Sequence, residues 1–299
     1  MPATFSVLIA AYNAAPFLPA ALAGLRAQTH RTWELIVVED GSNDGTEGLV
    51  REFAAAVDQP VRYENLGRNR GVAAARNRLL ELAEGDMLAF LDADDLWQPT
   101  HLATLLPGLV RGHALVFSAI DRWDAATRRS LGTYCPAPAL LAMPRRGLFV
   151  HSFIQTSSCV ALPRRVAGRT GRFDETLQIG EDRDYWFRAL ADGGTIACTG
   201  TATCRYTKHA GSSMNRSRRV AADTVRFYEK HAAAGDIPAG LRRRRLADAR
   251  WTLARLLRRT EPAEARALGW LAWRATPWRP GLLLWCLAAP LLPRRSSAP

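Results

Sequence analysis

Three carboxylates stand within four residues at Asp92-Ala93-Asp94-Asp95. Ionised acids packed this closely repel one another unless a cation neutralises them. Their oxygens are hard ligands of the kind that hold Mg²⁺ or Mn²⁺ against phosphate groups. Read in isolation, the same triplet is a solvated turn whose Asp95 caps the helix after it. Two further acidic clusters accompany it. Asp40-Gly41-Ser42, preceded by Glu39, taken alone is a β-turn. Glu181-Asp182-Arg183-Asp184 taken alone is an acid-rich helix N-terminus, which the helix dipole favours. A lone histidine, His209, follows in a small-residue segment, and a lone histidine is more often structural than a ligand.

The elements around these residues give them a common place. Phe5–Ala11 is a continuous apolar run and reads as a buried strand. Residues 13–28 follow as a helix with Leu18, Leu22 and Leu25 on one face. Residues 33–38 form a second buried strand, 46–56 a helix, 61–63 a short strand and 71–82 an Ala- and Leu-rich helix. Residues 87–91 form another buried strand that runs directly into the acidic triplet. Buried strands alternating with helices predict a parallel α/β sheet, and such sheets bind ligands beyond the carboxyl ends of their strands. Asp40 and Asp92 both fall there and are expected to line one crevice.

The second half is less regular. Residues 113–134 read as strand, turn, strand. Pro136, Pro138 and Pro144 predict a loop, followed by a helix carrying Ser, Thr and Cys and then a strand at 160–162. Residues 179–191 read as a helix and 195–206 as a β-hairpin. From Val220 the pattern is helical, with a break at Pro238.

The formal net charge is +12, and lysine contributes only Lys208 and Lys230. From Gly235 to Pro299 there are thirteen Arg against four acidic residues, so nine of the twelve net positive charges lie in this tail. Five cysteines, with no metal-type pairing in the sequence, suggest neither a disulfide framework nor a zinc site and fit a reducing compartment. The N-terminus lacks the features of a secretory signal, and no apolar run reaches transmembrane length.

Three segments bring a resemblance into view: SVLIAAYNAAPFLPAALAGLRAQTHRTWELIVVEDGSNDGT, NLGRNRGVAAARNRLLELAEGDMLAFLDADDLWQP and GRFDETLQIGEDRDYWFRAL. In order and spacing they resemble the family 2 glycosyltransferases, inverting enzymes of GT-A fold, over about residues 4–215. The resemblance implies a Rossmann-like, mostly parallel sheet flanked by helices, with a C-terminal helical extension. It implies a catalytic domain at 1–234, with a nucleotide-binding part at about 1–112 and an acceptor and base part at about 113–234. By the same resemblance Ala10, Ala11 and Tyr12 cradle the nucleoside base, and Asp40 accepts a hydrogen bond from a uracil or thymine imide. Asn69, Gly71 and Arg76 line the base and ribose pocket, although Arg76 reads equally well as the structural partner of an acid. Asp92 and Ala93 meet the ribose or a metal-bound water, and Asp94 is the direct ligand of Mn²⁺ or Mg²⁺. Asp182, with Glu181 as neighbour and alternate, takes the proton of the acceptor hydroxyl. His209 reaches the metal or the diphosphate, and Lys208 and Arg216 neutralise phosphate. The implied activity is transfer of a sugar from a UDP-sugar or dTDP-sugar to a hydroxyl of a glycan or lipid-linked glycan.

The tail at 235–299 holds five of the nine tryptophans beside its arginines. Trp and Arg together favour a membrane interface, so the expectation is a helical anchor on an anionic surface, or else a helical hairpin packed on the catalytic domain. The expected location is cytoplasmic, at the inner face of the inner membrane. Two other enzyme classes fit less well. A sugar nucleotidyltransferase carries a glycine-rich basic loop after its first strand, where this chain reads AAYNAAPFLPA. A dinucleotide-dependent dehydrogenase needs a G-x-G-x-x-G turn that is missing here. A non-catalytic protein that binds nucleotide sugars or an anionic surface is the remaining alternative. Nucleic acid is not an expected partner, because the acids cluster in the crevice and the basic charge lies elsewhere.

Overall fold

The computed structural model describes residues 4–209 and 217–288. They divide into two compact units, one of residues 4–176 with 181–209 and one of residues 177–180 with 217–288.

The first unit opens with β1 (Phe5–Ala11), α1 (Leu18–Arg26), β2 (Trp33–Glu39), α2 (Thr46–Ala55), β3 (Val61–Asn65), α3 (Val72–Leu82) and β4 (Met87–Phe90). β1, β2 and β4 are buried along nearly their whole length, which is why they read as predominantly apolar runs. β3, at the sheet edge, is half-exposed. These four strands pair in parallel in the order β3-β2-β1-β4. Ala11 is level with Glu39, and Leu8 is level with Phe90. That register brings the residues after β1, β2 and β4 to one edge of the sheet.

The unit continues through β5 (Leu96–Trp97), α4 (His101–Val110), β6 (Leu115–Asp124), β7 (Arg129–Tyr134), α5 (Pro138–Ala142), α6 (Pro144–Val150), a 3₁₀ turn (Ser157–Cys159), β8 (Val160–Pro163), α7 (Arg164–Thr170), α8 (Glu181–Ala189) and β9 (Ile196–Lys208). The sheet extends past β4 in the order β8-β6-β9-β5, with β7 paired to β6. β8 joins antiparallel to both β4 and β6, β9 runs parallel to β6, and β5 runs antiparallel to β9.

Three local expectations are corrected. The segment read as a hairpin at 195–206 is one long strand, β9. Gly200 does take positive φ, but the chain there forms a bulge against β6 and continues instead of reversing. The prolines expected to mark a loop start helices: Pro138 and Pro144 occupy the first turns of α5 and α6, where proline's missing N–H costs nothing. The helix expected to follow them shrinks to the single 3₁₀ turn. There the Thr156 hydroxyl accepts the Ser158 N–H, a side-chain bond that competes with a longer helix.

The second unit holds α9 (Ser217–Lys230), α10 (Ala239–Leu257), α11 (Pro262–Ala275) and α12 (Pro280–Ala288). Ala247, Ala272 and Leu282 form a small core, with Trp251 and Trp273 packed against it. Ion pairs Arg250–Glu229 (2.9 Å) and Arg279–Asp248 (2.5 Å), and one between Arg218 and Glu261, cross between its helices and loops. Among the described residues no helix is long and apolar enough to cross a membrane.

Candidate functional site

The first wall of the site is the turn after β2. Asp40 is buried, and its two carboxylate oxygens accept the backbone N–H groups of Arg70 (2.7 Å) and Gly71 (2.8 Å). Residues 67–71 are thereby folded back over the strand ends. Gly41, at φ +75°, lets them approach, because a Cβ there would overlap the Arg68 backbone. Beneath this, the buried Glu39 carboxylate accepts hydrogen bonds from the Ser42 and Tyr63 hydroxyls and from Asn65 Nδ2 (3.5 Å). Burial and this carboxylate push the Tyr63 phenol well above its ordinary range. Ser42 Oγ in turn accepts the Asn13 N–H (3.0 Å), so the chain leaving β1 is tied to the chain leaving β2. Ala11 is buried, Ala10 is half-buried, and Tyr12 projects with 52% of its surface exposed. Asn69 is exposed on the folded-back loop.

The acidic triplet forms the floor, and its three members differ. The Asp92 N–H donates to Ser158 Oγ (2.9 Å), and the Asp92 carboxylate accepts the Thr156 hydroxyl at 3.3 Å. Asp94 meets His209, Oδ2 to Nε2, at 2.8 Å, and His209 stacks on Phe17. Burial and the neighbouring Asp92 raise the Asp94 carboxyl above its ordinary range, against the pull of His209. Asp95 is fully buried. It accepts the Thr156 hydroxyl (2.7 Å) and the Thr207 N–H of β9 (2.9 Å). Burial, then the charges of Asp92 and Asp94, push Asp95 far above the usual carboxylate range. The capping role considered for Asp95 is therefore corrected: α4 begins at His101 with Thr100 before it, and Asp95 instead ties the triplet to the strand that leads to His209.

The third wall is the start of α8. Tyr185, Trp186 and Phe187 are buried and hold this helix against the sheet. Phe173 stacks on Tyr185 at 3.9 Å, and Trp186 meets Phe90 of β4 edge-on at 5.3 Å. The N-terminal turn then presents Glu181 and Asp182 toward the floor. Arg76 of α3, only 5% exposed, spans the gap: Nη1 to Glu181 at 2.6 Å and Nη2 to Asp92 at 2.9 Å. Its guanidinium also lies over the Phe173 ring. Burial raises Glu181 to about 7, with Arg76 opposing and Asp182 adding to the shift. Burial also raises Asp182, and Arg76 opposes it. Asp182 Oδ1 accepts the Arg183 N–H at 2.6 Å, and the Arg183 side chain reaches the carbonyls of Leu148 and Phe149 at 2.8 Å each.

The residues singled out in sequence thus fall on one edge of the sheet. Arg76 directly links Asp92 to Glu181, and Asp94 touches His209. Arg76 is the ion-pair partner of acids that one of its two readings anticipated. Arg216 lies outside the described residues. Sequence reasoning missed Thr156, Ser158 and Thr207, which hold the triplet in place, and Tyr206, whose phenol burial and then the Asp95 charge push up to about 12. It also missed the Glu39 network of Ser42 and Tyr63. Its only sequence signal was a glutamate at the end of a strand that is apolar but for Glu34.

Among the described residues no three His, Cys, Asp or Glu side chains assemble to hold a metal ion. Asp94 and His209 nevertheless form a two-ligand donor set, both partly exposed to the crevice. Mg²⁺ binds protein through one or two carboxylates and completes its shell with substrate phosphates, so Asp94, with His209 beside it, fits a divalent cation.

Residues 6–170 match the family model described as glycosyl transferase family 2. The chain is 32% identical over 248 residues to the succinoglycan biosynthesis protein ExoO of Rhizobium meliloti (strain 1021), covering 76% of this chain and 69% of ExoO. The structure of S. aureus TarS 1–349 in complex with UDP-GlcNAc superposes with a TM-score of 0.69 at 17% identity, over 96% of this chain and 88% of that one. The mannosyltransferase PcManGT of Pyrobaculum calidifontis, in complex with GDP-Man and Mn²⁺, gives a TM-score of 0.62 at 21% identity, over 96% and 86%. At these identities the two structures speak for the fold, which is the expected GT-A fold.

Proposed function

The chain belongs to glycosyl transferase family 2 and is a transferase, and we propose that it moves a sugar, with inversion, from a UDP-sugar to a hydroxyl of a glycan or lipid-linked glycan. The observation that carries this reading is the Arg76 bridge, which gathers Asp92 and Glu181 beside Asp94 and Asp182 at the carboxyl ends of the parallel strands. The UDP-GlcNAc complex of TarS and the polysaccharide-related name of ExoO support the donor and acceptor classes.

Asp182 is the residue we assign to the acceptor proton. Glu181 is already committed to Arg76, whereas Asp182 holds only the adjacent Arg183 N–H among the hydrogen bonds described above. Its raised pKa suits a group that must accept a proton near neutral pH. As the acceptor oxygen attacks the anomeric carbon, Asp182 takes the hydroxyl proton and the nucleoside diphosphate leaves from the opposite face. Residues 67–71, held by Asp40, with Ala10, Ala11, Tyr12, Asn69 and Gly71, line the base and ribose end. Asp94 and His209 would hold Mn²⁺ or Mg²⁺, which stabilises the negative charge developing on the departing diphosphate.

The test is a panel of nucleotide sugars with Mn²⁺, read by thermal shift and by nucleoside diphosphate release. Asp94→Ala is expected to lose the Mn²⁺-dependent shift. Asp182→Asn is expected to keep donor binding and lose turnover by about 10²–10⁴-fold. Failure to bind any nucleoside diphosphate, with or without metal, would refute the reading. Consumption of UTP with pyrophosphate release would point to a nucleotidyltransferase instead.

We also propose that the helical unit meets an anionic membrane surface. Trp278 is 61% exposed, and Leu271, Leu284 and Leu287 are exposed on the same unit as Arg266, Arg274 and Arg279. Co-sedimentation with vesicles containing anionic lipid, lost at high salt, is the expected result. Equal recovery with neutral vesicles, or none with either, would overturn it.

A further inference from the structure

All five cysteines are free thiols, and two of them meet. Cys135 Sγ and Cys198 Sγ lie 3.3 Å apart, although 63 residues separate them. Cys135 is exposed just after β7, and Cys198 is half-buried near the start of β9. Cys159, Cys204 and Cys286 are buried. From Cys135 the chain passes through α5, which packs against β9, and α6, which packs against α8. The carbonyls that receive Arg183, next to Asp182, close this stretch. Residues 135–150 therefore form a strap between β9 and the helix bearing the proposed base. Only its first residue carries a thiol, and that thiol faces a partner on β9.

We propose that Cys135 and Cys198 are a modification site for small-molecule disulfides, closing to an intramolecular disulfide that staples the start of the 135–150 strap to β9. The exposed Cys135, as thiolate, attacks a disulfide RSSR, forming Cys135–S–SR and releasing RS⁻. Cys198, as it loses its proton, attacks the Cys135 sulfur and expels the second RS⁻. Two protein thiols are oxidised and one RSSR is reduced to two RSH. Burial raises the Cys198 thiol to about 12, so it is the slower, resolving partner and its step quickens as pH rises.

The experiment treats the full chain with oxidised glutathione, alkylates it in denaturant and maps the peptides. The expected product has lost two of its five alkylatable thiols, yields a linked Cys135–Cys198 peptide, and recovers all five on reduction. Cys198→Ser is expected to trap one glutathione on Cys135, and Cys135→Ser to stay unmodified. Hydrogen exchange in α5 is expected to slow in the oxidised protein. The proposal is overturned if all five thiols remain alkylatable, if a Cys159–Cys204 link forms instead, if glutathione stays on Cys135 of the unsubstituted chain, or if exchange in α5 is unchanged. None of these readouts depends on transferase activity.

Discussion

Replacing Arg76 with Met removes the guanidinium that joins Glu181 to Asp92 while keeping most of its volume. Both contacts are short, 2.6 and 2.9 Å, and Arg76 and Glu181 are almost fully buried. Breaking such a buried pair costs about 3–5 kcal/mol. Part of this cost must depend on pH. With Arg76 present, Glu181 sits at about 7, above its ordinary value of 4.5. A carboxyl raised on folding makes the folded state bind the proton more tightly than the unfolded state does, so stability falls as pH rises from about 4.5 to about 7. Arg76 holds that shift down, so Arg76→Met raises Glu181 further. Below about pH 6 Glu181 is protonated in both folded proteins, and the remaining deficit reflects the lost Asp92 contact and packing over Phe173. Above pH 7 the native chain ionises Glu181 against Arg76 and the variant cannot. The deficit then widens by up to about 1.4 kcal/mol per pH unit until the pH reaches the variant's own Glu181 pKa. Denaturant unfolding of both proteins at pH 6, 7, 8 and 9 reads this directly. A deficit that stays flat across the series would refute the assignment of Arg76 as the counter-charge of Glu181.

Four further outcomes follow from the same geometry. His101 is fully buried with Nδ1 on Thr203 Oγ1, and burial lowers it to about 3, so the chain is expected to lose about 1.4 kcal/mol per pH unit as pH falls from 6.5 toward 3; His101→Phe, which keeps the stack on Trp97, should flatten that slope in acid unfolding curves. Asp95→Asn can still accept from Thr207 and donate to Thr156, so its stability is expected within about 1 kcal/mol of the native chain, whereas Asp95→Leu strands the Thr207 N–H and leaves Thr156 only its 3.3 Å contact with Asp92, at a cost of about 1–3 kcal/mol. Gly41→Ala should push residues 68–71 off the strand ends, lowering Tm and weakening nucleotide-sugar binding together; a variant that loses stability yet binds unchanged would separate the turn from the site. Glu39→Gln leaves Ser42 and Tyr63 with a weaker acceptor, and a spectroscopic titration of Tyr63 is expected to shift toward its ordinary value.

The first ninety residues were legible because their burial is local in cause. β1 and β2 are apolar apart from Ser6, Glu34 and the terminal Glu39, end at turn residues, and match the expected bounds to within a residue. The second half was not, because long-range pairing decides it. Gly200 carries the same turn signal whether the chain reverses or bulges, and only β6 and β5 on either side of β9 settle the matter. Pro138 and Pro144 read as loop markers until the segments after them are seen to be helical. Asp95 shows the same limit at the site. Nothing within its own window distinguishes a helix cap from a strut to Thr207, 112 residues away.

The charges at the strand ends do not balance by themselves. Among the described residues, Asp92, Asp94, Asp95, Glu181 and Asp182 lie near Arg76, which pairs with Asp92 and Glu181, near Arg183, whose charge acts on Asp182, and near His209, which meets Asp94. Burial raises Asp94, Asp95, Glu181 and Asp182 alike, so each gives up solvent that the nearby cations only partly replace. A site built for stability alone would replace such acids with apolar residues at little cost. Their retention makes physical sense if the crevice works with positive charge supplied alongside its substrate. In the proposed reaction Asp92, Asp94 and His209 would face the leaving diphosphate and Glu181 and Asp182 the acceptor, with Arg76 joining the two groups through Asp92 and Glu181. Arg76 touches both groups, so a change at this one residue should disturb donor binding and proton transfer together, whereas Asp94→Ala and Asp182→Asn should each disturb only one.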